Sequence, residues 1–218
     1  MSNPVFTLTA DQALFFTLHR QHLAQNADSP LTALRRLTAV QAQYDAGLPL
    51  ALLARCPGMS REWPQRALFE TRELVKTWSL RGTIHIQAAA DLALLVRSVG
   101  GQQAADFTHF MRTRRGLDDE ALRRLNLSVL EALAGGPLSR MELHSAVPAL
   151  AQIPGAAWGL DVKSLAFSGE LVLAGERTFA RREQWLPGLD WNPPAEEAAQ
   201  RELLLRYLAG YGPATAQD

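Results

Sequence analysis

The chain has 218 residues, 47% of them hydrophobic, which is enough to bury a proper core in one domain or two small ones and argues against general disorder. Basic and acidic residues balance at 22 each, so no global charge draws the chain to nucleic acid or an anionic membrane, and either partner must be met by a local patch. The single cysteine, Cys56, excludes an internal disulfide and a cysteine-rich zinc site, and with no basic leader and no apolar run of membrane-spanning length the expectation is a soluble protein of a bacterial-type cytosol.

In chain order, Thr9-Ala10-Asp11-Gln12 has capping-box spacing and opens a helix expected to run to about residue 25, with Leu14, Phe15, Leu18 and Leu23 as its apolar stripe. Asp28-Ser29-Pro30 starts a second helix, in which Leu31, Leu34, Leu37 and Val40 recur three apart, so its end is expected near Gln41. Gly47 and Pro49 interrupt the next stretch, residues 50–53 read as helical, and Cys56-Pro57-Gly58 closes that element. A polar helix-like stretch at 63–71 leads to β-rich residues 74–80, Arg81-Gly82 and then 83–86, a hairpin with glycine at its turn.

Residues 91–99 and 104–114 read as helices separated by Gly100-Gly101, and Asp118 caps another through about residue 133. Ser139 caps a short helix through His144, a loop containing Pro148 and Pro154 leads to a helix at 160–167, and strands at 170–174 and 178–181 flank Gly175-Glu176-Arg177. The fold class expected is mainly α with short β-hairpins (α+β), as tandem winged helices. Residues 1–100 form the first unit, 101–191 the second, and 192–218 a linker, a periodic helix at 195–208 and the start of an incomplete third module at Gly210.

Gln41-Ala42-Gln43 is the triplet of chemical interest. Two neutral amides can hold one water between fixed donors and acceptors. Among thirteen glutamines a Gln-x-Gln arises by chance about once, so its surroundings decide its meaning. On an ideal helix the two side chains would point about 200° apart, so convergence requires the helix to end between them, while capping of helix-end carbonyls is the competing structural role.

Several segments together resemble the winged-helix DNA glycosylases of the AlkZ/YcaQ type. They are Leu37-Thr38-Ala39-Val40-Gln41-Ala42-Gln43, Leu50-Ala51-Leu52, the stretch from Thr77-Trp78-Ser79 through Arg81-Gly82-Thr83 to His85, and the stretch from Arg206-Tyr207 to Gly212-Pro213-Ala214-Thr215. The resemblance implies tandem winged helices around a DNA-binding channel, excision of alkylated purines including those in interstrand crosslinks, and Gln41 and Gln43 as catalytic residues of the Gln-x-Gln branch. The resembled proteins continue well past the Gly-Pro-Ala-Thr segment, so a chain ending there would lack one wall of the channel.

In that setting, Lys76, Arg81, Thr83 and His85 of the first hairpin are the expected contacts to the DNA backbone. Lys163 and Ser164 on the second unit's helix, with Arg177 and Arg181 at its wing, are their expected counterparts. Asp45 is the nearest carboxylate to the glutamines and a conceivable general base, Trp78 reads as core or as support for a flipped base, and Arg112, Arg114, Arg115, Arg123 and Arg124 read equally as a basic patch or a solvated face. His19 and His22 lack the companions a metal site needs, and no nucleotide-binding loop occurs, so no metal or cofactor is expected. The reading is a monofunctional glycosylase hydrolysing N7-alkylpurine bonds, working as a monomer on damaged double-stranded DNA in the nucleoid. The alternative is a non-catalytic winged-helix DNA-binding protein or regulator.

Overall fold

The computed structural model describes residues 7–44, 46–153, 155 and 159–215; Asp45 with its conceivable base role, Pro154 of the expected loop, and the last three residues lie outside them. Helix α1 (Ala10–Arg20) begins at the Thr9 capping box as expected, but ends before residue 25 because His22 adopts a left-handed φ of 58°. Helix α2 (Pro30–Leu37) starts under the Ser29 hydroxyl and stops at Leu37, where buried Thr38 turns to φ 67°. The continuing three-residue period is misleading at this point. Val40–Gln41 form a short strand, β1, because the sheet offers them an edge, and Ala42 N–H donates to the Ile84 carbonyl at 2.8 Å.

Helices α3 (Gly47–Leu53) and α4 (Trp63–Phe69) precede the first hairpin, β2 (Leu74–Trp78) and β3 (Ile84–Ala88), whose turn carries Arg81 and Gly82 at positive φ. Helix α5 (Leu92–Leu95) runs through a π-helical turn at Val96–Gly100 into α6 (Gly101–Arg115), so the glycine pair does not break the helix as expected. Gly100 instead permits close packing: a Cβ there would meet the Phe167 carbonyl oxygen at 2.4 Å. Helix α7 (Asp119–Ala132), strand β4 (Leu138–Ser139), helices α8 (Arg140–Ala146) and α9 (Lys163–Phe167), and the hairpin β5 (Leu171–Gly175) and β6 (Thr178–Arg181) form the second unit. After α10 (Arg182–Trp185), α11 (Glu196–Tyr211) absorbs Gly210 and Tyr211, where the sequence suggests the start of a new module.

The architecture is therefore mainly helical with short antiparallel hairpins, two helix-and-hairpin units in tandem. Their strands share one six-stranded sheet in the order β1-β3-β2-β5-β6-β4, joined where Lys76 of β2 faces Leu173 of β5. One core packs Leu34, Leu48, Leu52, Leu74 and Ile86 in the first unit; another packs Met111, Val129, Leu143, Leu165 and Phe179 in the second. Val75, Leu92, Val172 and Ala180 form a third between the two hairpins. Trp78 is core: its ring stacks 6.4 Å from Phe179. No helix among the described residues is long and apolar enough to cross a membrane.

Helix α11 crosses back over the first unit. Buried Asp91 binds Arg206 of α11 at 2.9 Å and Arg35 of α2 at 3.3 Å, and Tyr211 Oη donates to the Leu37 carbonyl at 3.2 Å. Gly210 lets the helix touch α2, since a Cβ there would lie 2.4 Å from the Arg36 carbonyl oxygen. Replacing an interior helical glycine by alanine ordinarily stabilises by about 1 kcal/mol. Here Gly210→Ala is expected to reverse that sign and cost about 1–3 kcal/mol, as read from urea unfolding, because α11 must lift from α2.

Candidate active site

The strand conformation of β1 changes the geometry of the glutamine triplet. In extended chain, side chains two apart share a face. Ala42 is 1% exposed and points into the first core, while Gln41 and Gln43 on either side of it are both exposed. The helix has thus ended before Gln41, which lies in the strand, while Gln43 lies in the bend that follows it.

Gln41 lines a cleft of about 940 Å³ walled by the end of α2, the first hairpin, the π-helical turn and α11. Gln43 stands outside its lining, in the bend that follows the strand. Register places His85 of β3 directly opposite Gln41, and His85 also lines the cleft although it is only 3% exposed. Arg81 and Arg55 add positive charge, and no carboxylate is found among the described residues of the wall. Such a cleft favours an anionic backbone and disfavours protonation of its own histidine.

Arg55 is fixed just past α3, donating to the Ala51 carbonyl at 2.8 Å and to Gln21 Oε1 at 3.2 Å. Burial lowers its pKa, with the neighbouring Tyr211 acting in the opposite direction, yet a guanidinium remains charged at neutral pH. Tyr207 and Tyr211, one helical turn apart on α11, stack at 5.4 Å and give the cleft an aromatic wall; burial raises the Tyr211 pKa. His85 Nδ1 lies 3.0 Å from the Thr83 carbonyl. Burial is the main force lowering its pKa, Arg81 works in the same direction, and the Thr83 bond opposes both.

Of the residues around which the sequence places function, the fold thus gathers Gln41, Arg81 and His85 at the cleft. Thr83 sits at the hairpin turn, its hydroxyl on the Leu80 carbonyl at 3.3 Å and its own carbonyl on His85. Lys76 belongs to the opposite sheet face, since its neighbour Thr77 is the residue paired with His85; it lines a smaller recess with Arg61, Gln65 and Glu176. In the second unit, Lys163 is half-buried against the Phe167 ring with its pKa lowered by burial, and Ser164 donates to Asn126 at 2.8 Å. Arg181 is committed to the Leu130 carbonyl and to Glu183, whereas Arg177 is exposed at the second turn. Arg123 and Arg124 pair with Glu120 on a solvated helix face. No group of three potential metal ligands occurs among the described residues.

Sequence reasoning missed Arg55, Tyr207 and Tyr211 as parts of one site, because only the docking of α11 brings them to β3. The tyrosines' signals were their four-residue spacing and their place in the family-like stretch from Arg206 to Thr215.

Tandem helix-and-hairpin units on one shared sheet, with a cationic cleft beside the first hairpin, are consistent with a winged-helix architecture. The AlkZ-like DNA glycosylase model matches residues 34–218, and the chain belongs to that family. Among solved structures, the DNA glycosylase AlkZ of Streptomyces sahachiroi is similar at a TM-score of 0.78 and 26% identity, over 92% of this chain and 56% of that one. This chain therefore spans little more than half the length of that relative. No curated protein matches.

The depressed His85 pKa fixes a stability trend. Above the ordinary histidine range near 6.5 both folded and unfolded rings are neutral and the contribution is fully present; as pH falls, the unfolded ring takes up a proton before the folded one, and stability is lost through the folded pKa. Urea unfolding of wild type against His85→Gln is expected to show a steeper loss in the wild type on acidification below about pH 6.5.

Proposed function

We propose that this chain acts as a monofunctional DNA glycosylase on double-stranded DNA, hydrolysing the N-glycosidic bond of purines alkylated at N7, including those held in interstrand crosslinks. The carrying observation is exposed Gln41 in the wall of a cationic cleft with no carboxylate among its described residues, with exposed Gln43 two residues on, beyond buried Ala42. Family membership and the similarity to the Streptomyces glycosylase support the reading.

The substrate restriction follows from what amides can do. An N7-alkylpurine already carries positive charge, so its glycosidic bond is weak and the base departs neutral without protonation. Gln41 and Gln43 then need only hold a water against the anomeric carbon and aim their dipoles at an oxocarbenium-like transition state. An uncharged base would need an acid to assist its departure, and amides are poor acids. The stacked pair Tyr207 and Tyr211 offers a face for a base taken out of the helix. Lysine is absent from the described cleft wall, which accords with hydrolysis rather than a Schiff-base route.

The test is base release from duplex DNA containing N7-methylguanine, read as alkali-labile strand breaks above the protein-free rate. Wild type is expected to release the base and Gln43→Ala to lose roughly 10²-fold in rate with duplex binding retained. Binding without base release, indifferent to the substitution, would instead identify a non-catalytic DNA-binding protein.

A further inference from the structure

Hydrolysis of the glycosidic bond has a proton to dispose of. When the bond between C1′ and N9 breaks, its electron pair passes to the purine and cancels the charge of the alkylated ring. Water forms the new bond through its oxygen to C1′ and must surrender one proton to become the sugar hydroxyl. Carboxamides are not bases at neutral pH, and Arg55 and Arg81 offer no acceptor at all. Burial raises the Tyr211 pKa, so its hydroxyl keeps its proton there, and the Ser98 hydroxyl donates to the Leu95 carbonyl at 3.1 Å. Among the described residues of the wall, none of them an aspartate or glutamate, the proton acceptor is His85.

Its geometry suits the task. The Thr83 carbonyl oxygen can only accept, so the hydrogen at 3.0 Å belongs to Nδ1, and the neutral ring presents a bare lone pair at Nε2. Directly opposed residues of an antiparallel pair project to one face with Cβ atoms about 5 Å apart. His85 and Gln41 are such a pair, and both line the cleft. The charged and titratable groups described in the wall of the same cleft are Arg55 from beyond α3, Arg81 from the hairpin turn, and Tyr207 and Tyr211 from α11. The Arg81 guanidinium favours the neutral, proton-accepting ring.

We propose that His85 is the general base of this site: its Nε2 takes the proton from the water held by Gln41 and Gln43 as that water bonds to C1′, and later releases it to solvent. The proposal rests on the glycosylase reading. It assigns to His85 a role at the reacting water in place of the phosphate contact that its position in the hairpin suggests.

The experiment is the pH profile of N7-methylguanine release, with the protein-free rate subtracted, for wild type, His85→Asn and His85→Gln, together with duplex affinity. Asparagine keeps a donor near Nδ1 for the Thr83 carbonyl, glutamine keeps an amide near Nε2, and neither accepts a proton. Wild type is expected to lose activity along a single acid limb; both variants lose about 10²-fold at neutral pH and the limb with it, at unchanged affinity. A variant that retains the rate and the limb overturns the assignment while leaving the glycosylase reading intact. A wild type that releases no base overturns the glycosylase reading itself. Independently of any variant, the His85 ring followed by NMR in the wild type should titrate at the midpoint of the acid limb, and a ring still neutral where activity has been lost overturns the assignment.

Discussion

The backbone pairing of Val40 and Gln41 with Ile86 and His85 is the constraint from which the site follows. Once these residues join the sheet, Val40 and Gln41 take opposite faces, Gln41 turns outward, and Ala42 turns inward to the first core. The same pairing sets Gln41 against His85. A helix continued for one more turn would have dispersed the amides around its axis and left β3 with an open edge. The left-handed turn at Thr38 makes the switch from helix to strand possible within two residues.

A second dependence runs through α11. The site's far wall is this helix, and it is held by a buried carboxylate shared between helices: Asp91 receives Arg206 and Arg35, and Glu202 receives Arg206 from within α11 at 2.8 Å. These charges neutralise one another behind the cleft, so Arg55 and Arg81 supply the potential inside it. Charge-neutral overall, the chain places positive charge locally, where an anionic ligand would meet it.

Much of this was legible in the sequence, and the exceptions have physical causes. Caps at Thr9, Ser29, Asp118 and Ser139, and both hairpins, could be read because capping and turn chemistry are local. The family resemblance correctly signalled the fold. The end of α2 was not legible, because Val40 continues an apolar period that fits helix and strand equally well, and the decision belongs to a partner strand more than forty residues away. Gly100 and Gly210 read as breakers but serve close backbone approach to Phe167 and Arg36, which only tertiary structure reveals. His85 read as a contact to the DNA backbone from the first hairpin; its burial and tautomer depend on Thr83 and on the cleft that α11 completes.

If Gln41 and His85 act on the same water, their contributions cannot be independent. The direct measurement is a double-mutant cycle on the rate of N7-methylguanine release, combining Gln41→Ala with His85→Asn. The double variant should be little slower than the slower single variant, because either change already releases the water. Losses that multiply would show two groups acting separately and would contradict the shared site that the strand pairing builds.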